Sequence, residues 1–304
     1  LIFIKFSRKY LINIKIKKFI MPNQNTQNLF TLLSKYASDS KEKDKISKQI
    51  NDLLKQNIVE QNIDINYRDK YSKNVLHLAA SNGYAGTIDA LIDAGAEVDS
   101  PDKYGQTPIC SAIIAGQTEI VKKLIEKDAR LDTKDIYGNN AFHIASEYNM
   151  GGAIKLLFWA EADSQLINKN GKKPLVLAAE KYSTDAIIAF NEEFIKGEDI
   201  SHIEDYKVAL DTIKKCPPDS SSLEWNNYII SLEILEDVVA QYEYQEQEKN
   251  QFTSMSLEVS FERSNEDENL QAESNFSIAN DENEAGLSPS NPQAMHLHHH
   301  QVQL

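Results

Sequence analysis

The chain has 304 residues, 41 % of them apolar and 26 % charged, and a formal net charge of −14. Eleven glycines and eight prolines exclude collagen-like and Pro/Gly-rich chains, two cysteines (Cys110 and Cys216) exclude a disulfide framework or a cysteine-based structural zinc site, and no apolar run is long enough to span a membrane. The charge is uneven, with six basic and no acidic side chains in residues 1–20 but two basic and 17 acidic in residues 219–304, which speaks against direct nucleic-acid binding, because phosphate contact depends on Lys and Arg.

The first twenty residues are almost only Ile, Leu, Phe, Lys and Asn, and Met21-Pro22-Asn23 follows. Two readings stand. One is upstream sequence translated from AT-rich DNA, with Met21 as the start. The other is an acid-free amphipathic segment for targeting or for a membrane surface, with Lys5, Arg8, Lys9, Lys15, Lys17 and Lys18 among apolar residues.

Residues 21–65 read as N-terminal capping helices. Leu29, Phe30, Leu32, Leu33 and Tyr36 suit one amphipathic helix, and Ile46, Ile50, Leu53 and Leu54 suit a second. Ile63-Asp64-Ile65-Asn66 is in register with Val98-Asp99, so a degenerate repeat precedes the first good one.

Residues 66–200 hold about four repeats, starting near 69, 102, 135 and 168. The stretches Asp69–His77, Asp102–Cys110, Asp135–His143 and Asn168–Val176 align without a gap at a period of 33. Ser72, Gly105, Gly138 and Gly171 share one phase, as do Ala79, Ala112, Ala145 and Ala178, and Leu91, Leu124 and Leu157 another. Gly105 and Gly138 permit a positive φ in a turn. Thr107 can cap a helix through its hydroxyl, and Pro108 fits the first helical turn, where no backbone donor is lost. Gly151-Gly152 costs helix propensity at the start of a helix, which makes the third repeat the expected weak link.

The pattern resembles the ankyrin repeat over residues 66–191. Thr107-Pro108-Ile109-Cys110-Ser111-Ala112 stands close to that family's motif, and Asn74–Ala79 and Asn140–Ala145 are weaker copies. The resemblance implies an all-α solenoid of helix-turn-helix repeats that is stable only through neighbour stacking. It implies a structural part for His77 and His143, whose imidazoles tie backbone groups together. It also implies a non-enzymatic module that binds another protein on its concave face, through turn tips and the exposed side of the first helices.

Residues 201–250 read as C-terminal helices. Ser201-His202-Ile203-Glu204 has the pattern of a capping box, and Cys216-Pro217-Pro218 stops the helix that follows. A long helix then runs to about Gln245, with Trp225, Tyr228, Leu232, Leu235, Val239 and Tyr242 on one stripe and Ile230, Ile234 and Val238 on a second. Closing the repeat stack is the preferred role, and a partner helix the alternative. Residues 251–304, rich in Ser, Asn and Glu, read as a disordered acidic tail. Its His296, His298, His299 and His300 lack the geometry of a metal site, so neither metal nor cofactor is expected.

The expected partner-binding residues are Tyr71, Tyr104 and Tyr137, which recur every 33 residues, together with Lys70, Lys73, Lys103, Gln106, Asn139, Ile114 and Tyr148. Tyr joins apolar area to a polar handle and is enriched at interaction hot spots. The same column can instead serve to pack neighbouring turns. No nucleophile–base pair, zinc pattern or phosphate-binding loop stands out. A second functional reading is an inhibitory subunit that masks a basic segment of a nucleic-acid-binding protein, and a third is a membrane tether through residues 1–20. Lys outnumbers Arg 28 to 4, with 32 Ile and 25 Asn. This AT-rich bias resembles that of ankyrin proteins from obligate intracellular bacteria, which implies a cytoplasmic protein or one secreted into a host cell.

Overall fold

Each of four turns is closed by the side chain that opens it. Asp69, Asp102, Asp135 and Asn168 accept, on Oδ1, the backbone N–H groups two and four residues further on. Their own N–H groups donate to the carbonyls of Lys73, Gln106, Asn139 and Lys172. The reversal needs a left-handed corner, and Ser72, Gly105, Gly138 and Gly171 supply it with φ of 60°, 79°, 81° and 71°. The next turn fills the space beside two of these corners. A Cβ on Gly138 would meet the Lys169 amide nitrogen at 2.8 Å, and one on Gly105 would meet Asp135 Cα at 3.2 Å. Successive turns bond directly, from Lys103 N–H to the Tyr71 carbonyl, Ile136 to Tyr104, and Lys169 to Tyr137.

The computed structural model describes residues 22–35, 37, 39–58, 63–196 and 202–284, with 57–58, 195–196 and 256–284 described by backbone alone. The leader at 1–20, Tyr36, Ser201 and the histidines at 296–300 lie outside the described residues. The described helices are α1 (Gln24–Leu33), α2 (Ser40–Ile58), α3 (Val75–Asn82), α4 (Ile88–Asp93), α5 (Pro108–Ile114), α6 (Thr118–Glu126), α7 (Ala141–Glu147), α8 (Gly151–Trp159), α9 (Pro174–Glu180), α10 (Thr184–Lys196), α11 (Ile203–Lys215) and α12 (Trp225–Glu284). The chain divides into two compact units, Leu1–Tyr242 and Glu243–Leu304.

In the first unit each turn leads into a helix pair. The first helices α3, α5, α7 and α9 stack on one another, and α4, α6, α8 and α10 stack behind them. Ala79, Ala112, Ala145 and Ala178 are fully buried and let the first helices approach closely, while Leu91, Leu124 and Leu157 fill the core between the layers. The reversal inside each pair uses another left-handed residue, at Gly83, Gly116, Asn149 and Tyr182, and the exit from the second helix uses Gly95, Asp128 and Glu161. Phe142, Phe158, Phe190 and Phe194 pack across α7, α8 and α10, with Phe142 and Phe158 at 4.9 Å and Phe158 and Phe194 at 5.5 Å between ring centres.

Both ends of this stack are covered. At the N-terminal end, Asn23 caps α1 by accepting the Thr26 N–H at 2.8 Å. Leu29 and Leu33 of α1 are buried with Ile46, Ile50 and Leu54 of α2. The buried Tyr84 donates its hydroxyl to the Lys35 carbonyl at 2.5 Å. At the C-terminal end, α11 packs against α9 through Tyr206, Ala209 and Ile213. Residues 225–242 of α12 bury Tyr228, Leu235, Val238, Val239 and Tyr242, and the Ser231 and Thr184 hydroxyls meet at 3.0 Å.

Cys110 is buried, and Cys216 is exposed because it follows the last turn of α11 and precedes the Pro217-Pro218 stop. His202 precedes α11 without a side-chain cap hydrogen bond, and its ring stacks on Phe194 at 4.3 Å; the serine of the expected capping box, Ser201, lies outside the described residues. Ile230 is exposed, and the neighbouring Ile229 packs on the core in its place. The last helix does not stop near Gln245 but runs on to Glu284. Between Asp219 and Gly286 the sequence contains neither Gly nor Pro, so nothing there breaks the helix ladder.

Candidate partner-binding surface

The turn ladder places Tyr71, Tyr104 and Tyr137 at equivalent positions of three consecutive turns. Each backbone N–H is held by its turn aspartate, and each carbonyl accepts from the following turn. Their backbones are therefore fixed while their rings face solvent, with 42 %, 43 % and 60 % of their surface exposed. The rings are not bare. The Lys103 ammonium lies 4.4 Å from the centre of the Tyr71 ring and 4.6 Å from that of Tyr104, and Lys70 lies 4.8 Å from Tyr71. In the third turn Ile136 takes the lysine position and is itself exposed. The column packs neighbouring turns through Lys103 and leaves aromatic surface open.

The other expected contact residues divide. Tyr148, the C-cap of α7, is 45 % exposed. Lys70 and Lys103 are exposed, whereas Lys73 and Gln106 are half-buried. Asn139 must be withdrawn as a contact residue: it is only 8 % exposed, because its Oδ1 accepts from Asn168 Nδ2 at 3.0 Å in the next repeat. Ile114 is half-buried and packs against the core rather than standing free.

Behind the tips lie two histidine links. His77 Nε2 is 3.0 Å from the Gln106 carbonyl and His143 Nε2 is 2.9 Å from the Lys172 carbonyl. A carbonyl only accepts, so Nε2 carries the proton, and Nδ1 accepts the N–H of Asn74 or Asn140. The same asparagines accept the histidine N–H, which closes a reciprocal cap on α3 and α7. Burial holds both imidazoles below their ordinary pKa. Backbone hydrogen bonding and, at His77, Asp102 work the other way, while Lys73 and Arg68 lower it further; at His143, Lys134 lowers and Asp135 raises it.

Between these links stands Cys110, and its repeat works differently. Thr107 occupies the N-cap position of α5 but makes no side-chain cap hydrogen bond; its hydroxyl sits 3.5 Å from Cys110 Sγ. Its expected capping role is therefore corrected. Pro108 opens α5 with no lost donor, and burial pushes the Cys110 thiol pKa up. The turn aspartates are structural parts of the tips that the residue-by-residue reading missed, although their 33-residue spacing was visible.

Among the described residues, no helix is long and apolar enough to cross a membrane, and no group of three His, Cys, Asp or Glu is placed to hold a metal ion. A family model described as Ankyrin repeats (3 copies) matches residues 43–135. No curated protein matches the chain. The match begins within α2 and ends at the third turn, while the same turn and helix-pair geometry continues through α10. The fold is an all-α ankyrin-repeat solenoid. Ankyrin repeats are generally non-enzymatic protein–protein interaction modules, and the implied partner is a protein.

Proposed function

We propose, for a chain that carries three ankyrin repeats, that its protein partner binds on the concave face, along the turn tips and the exposed ends of the first helices. Tyr71, Tyr104, Tyr137 and Tyr148 supply the contact area, and Lys70, Lys73, Lys103 and Gln106 surround it. One observation carries this reading: three solvent-facing tyrosines stand on turns whose backbones are pinned to each other. A tyrosine on a fixed backbone has only two side-chain torsions to lose on binding, which suits a hot spot. The AT-rich residue bias supports a setting like that of host-directed ankyrin proteins.

Photo-crosslinking tests the face. A photoreactive residue replaces either Tyr104 at a turn tip or Lys122, exposed on the second helix α6. The reading predicts a partner adduct from position 104 and none from position 122. Adducts only from position 122 contradict it.

The 17 acidic side chains of residues 219–304 favour a second reading, in which that segment masks a basic stretch of a nucleic-acid-binding protein. Such binding weakens steeply with salt; salt-insensitive binding rules it out.

A further inference from the structure

Cations elsewhere along the turns are already engaged. Arg68 pairs with Glu97 at 3.1 Å, Lys172 with Glu180 at 2.5 Å and Lys173 with Asp205 at 2.6 Å. Lys134 and Lys169 donate to the carbonyls of Ile167 and Ile136. Lys70, Lys73 and Lys103 differ, with no carboxylate in ion-pairing range among the described residues. The nearest acids in their own turns, Asp69 and Asp102, direct Oδ1 at two backbone N–H groups each. Asp102 is also buried. The Lys70 and Lys103 ammonium groups therefore rest on the Tyr71 and Tyr104 rings, and Lys73 is a third, half-buried cation of the first turn.

We propose that Lys70, Lys73 and Lys103, with Tyr71 and Tyr104, receive an acidic peptide segment of the partner. This rests on the reading of the turn tips as the partner face and adds the chemistry of what binds there. The tyrosine rings hold the Lys70 and Lys103 ammonium groups in place without neutralising them, so an incoming carboxylate meets positioned cations and an apolar floor. The range of the field selects the class of ligand. At physiological salt, charges act over about 8 Å, so a short acidic segment feels the three lysines. Residues 21–218, which hold the repeats, carry 24 basic against 29 acidic side chains, so a longer polyanion runs from the three lysines onto a net negative surface and is repelled. Nucleic acid is disfavoured for that reason.

Fluorescence anisotropy with the full chain tests the proposal. The probes are a labelled peptide alternating Glu and Ser, its counterpart with Lys in place of Glu, and an oligothymidylate of equal length. The Glu peptide is expected to bind, with affinity falling as salt rises, and the Lys peptide is not. The triple variant Lys70→Gln, Lys73→Gln, Lys103→Gln, with an unchanged circular dichroism spectrum, is expected to lose at least about fivefold in affinity for the Glu peptide. Charge reversal to Glu at the same three positions is expected to shift the preference to the Lys peptide. The proposal is overturned by absent binding of the Glu peptide, by equal binding of the Lys peptide, or by unchanged affinity in the Gln variant. Oligothymidylate binding that needs the same three lysines overturns it too, by showing a general polyanion surface. Position-104 crosslinks with a lysine variant that binds normally remove the acidic class and leave the partner face standing. Crosslinks only from position 122 remove the face itself.

Discussion

Gly151 and Gly152 are neighbours at the start of α8, yet they meet different surroundings. A Cβ on Gly151 would lie 2.5 Å from the Asp185 carbonyl oxygen, a backbone atom of the next repeat that cannot swing aside. A Cβ on Gly152 would find only the Thr118 side chain, at 3.5 Å, which is ordinary contact. The pair therefore combines a packing requirement with a removable helix defect. Gly152→Ala is expected to raise stability by about 0.5–1 kcal/mol, and Gly151→Ala to lower it by about 1–3 kcal/mol through overpacking. Urea denaturation of the two variants checks both signs, and equal shifts would contradict the geometry. Sequence spacing located the turn glycines because a left-handed corner recurs with the period. It misplaced Asn139 because the group that buries it, Asn168, is 29 residues away and interacts through side chains alone. Thr107 was misassigned because its hydroxyl faces a cysteine, where the first and third repeats pair an asparagine with a histidine.

At the scale of elements, the histidine links join a first helix to the turn of the following repeat. Both imidazoles are neutral in the folded protein, with pKa below the unfolded value of about 6.5. The unfolded chain therefore binds more protons between the two values. The contribution to stability is complete above about pH 6.5 and is lost as pH falls through the folded pKa. Unfolding free energy from denaturant titrations is expected to fall from about pH 7 to about pH 5, with a smaller slope in a His77→Gln, His143→Gln double variant. A flat profile for the parent would count against buried neutral links. The helix pairs themselves were legible, since apolar residues at a fixed phase had to share one core. The far end of α12 was not. The expected boundary near Gln245 followed the loss of an apolar stripe, whereas the helix continues where only Gly or Pro would break its backbone ladder.

Across the whole molecule, the acidic charge and the turn-tip chemistry belong to different stretches of the sequence. The net charge of −14 is concentrated beyond residue 218, while the exposed tyrosines and the three lysines that have no ion pair among the described residues lie on the first three repeats. The ankyrin match at residues 43–135 reaches the turns of Tyr71 and Tyr104 and stops at the turn aspartate before Tyr137. The 33-residue phase carries the column one turn further, and the structure gives that turn the same hydrogen bonds. What repetition made legible was where side chains stand; which of them stay exposed depended on contacts between repeats. The most direct measurement is the affinity of the full chain for its crosslinked partner, compared with a Tyr71→Ala, Tyr104→Ala, Tyr137→Ala variant of matched circular dichroism spectrum. Each hot-spot truncation costs about 1–2 kcal/mol or more, so the account predicts a loss of at least about a hundredfold. Equal affinity in the two proteins would contradict it and would make the tyrosine column part of the scaffold alone.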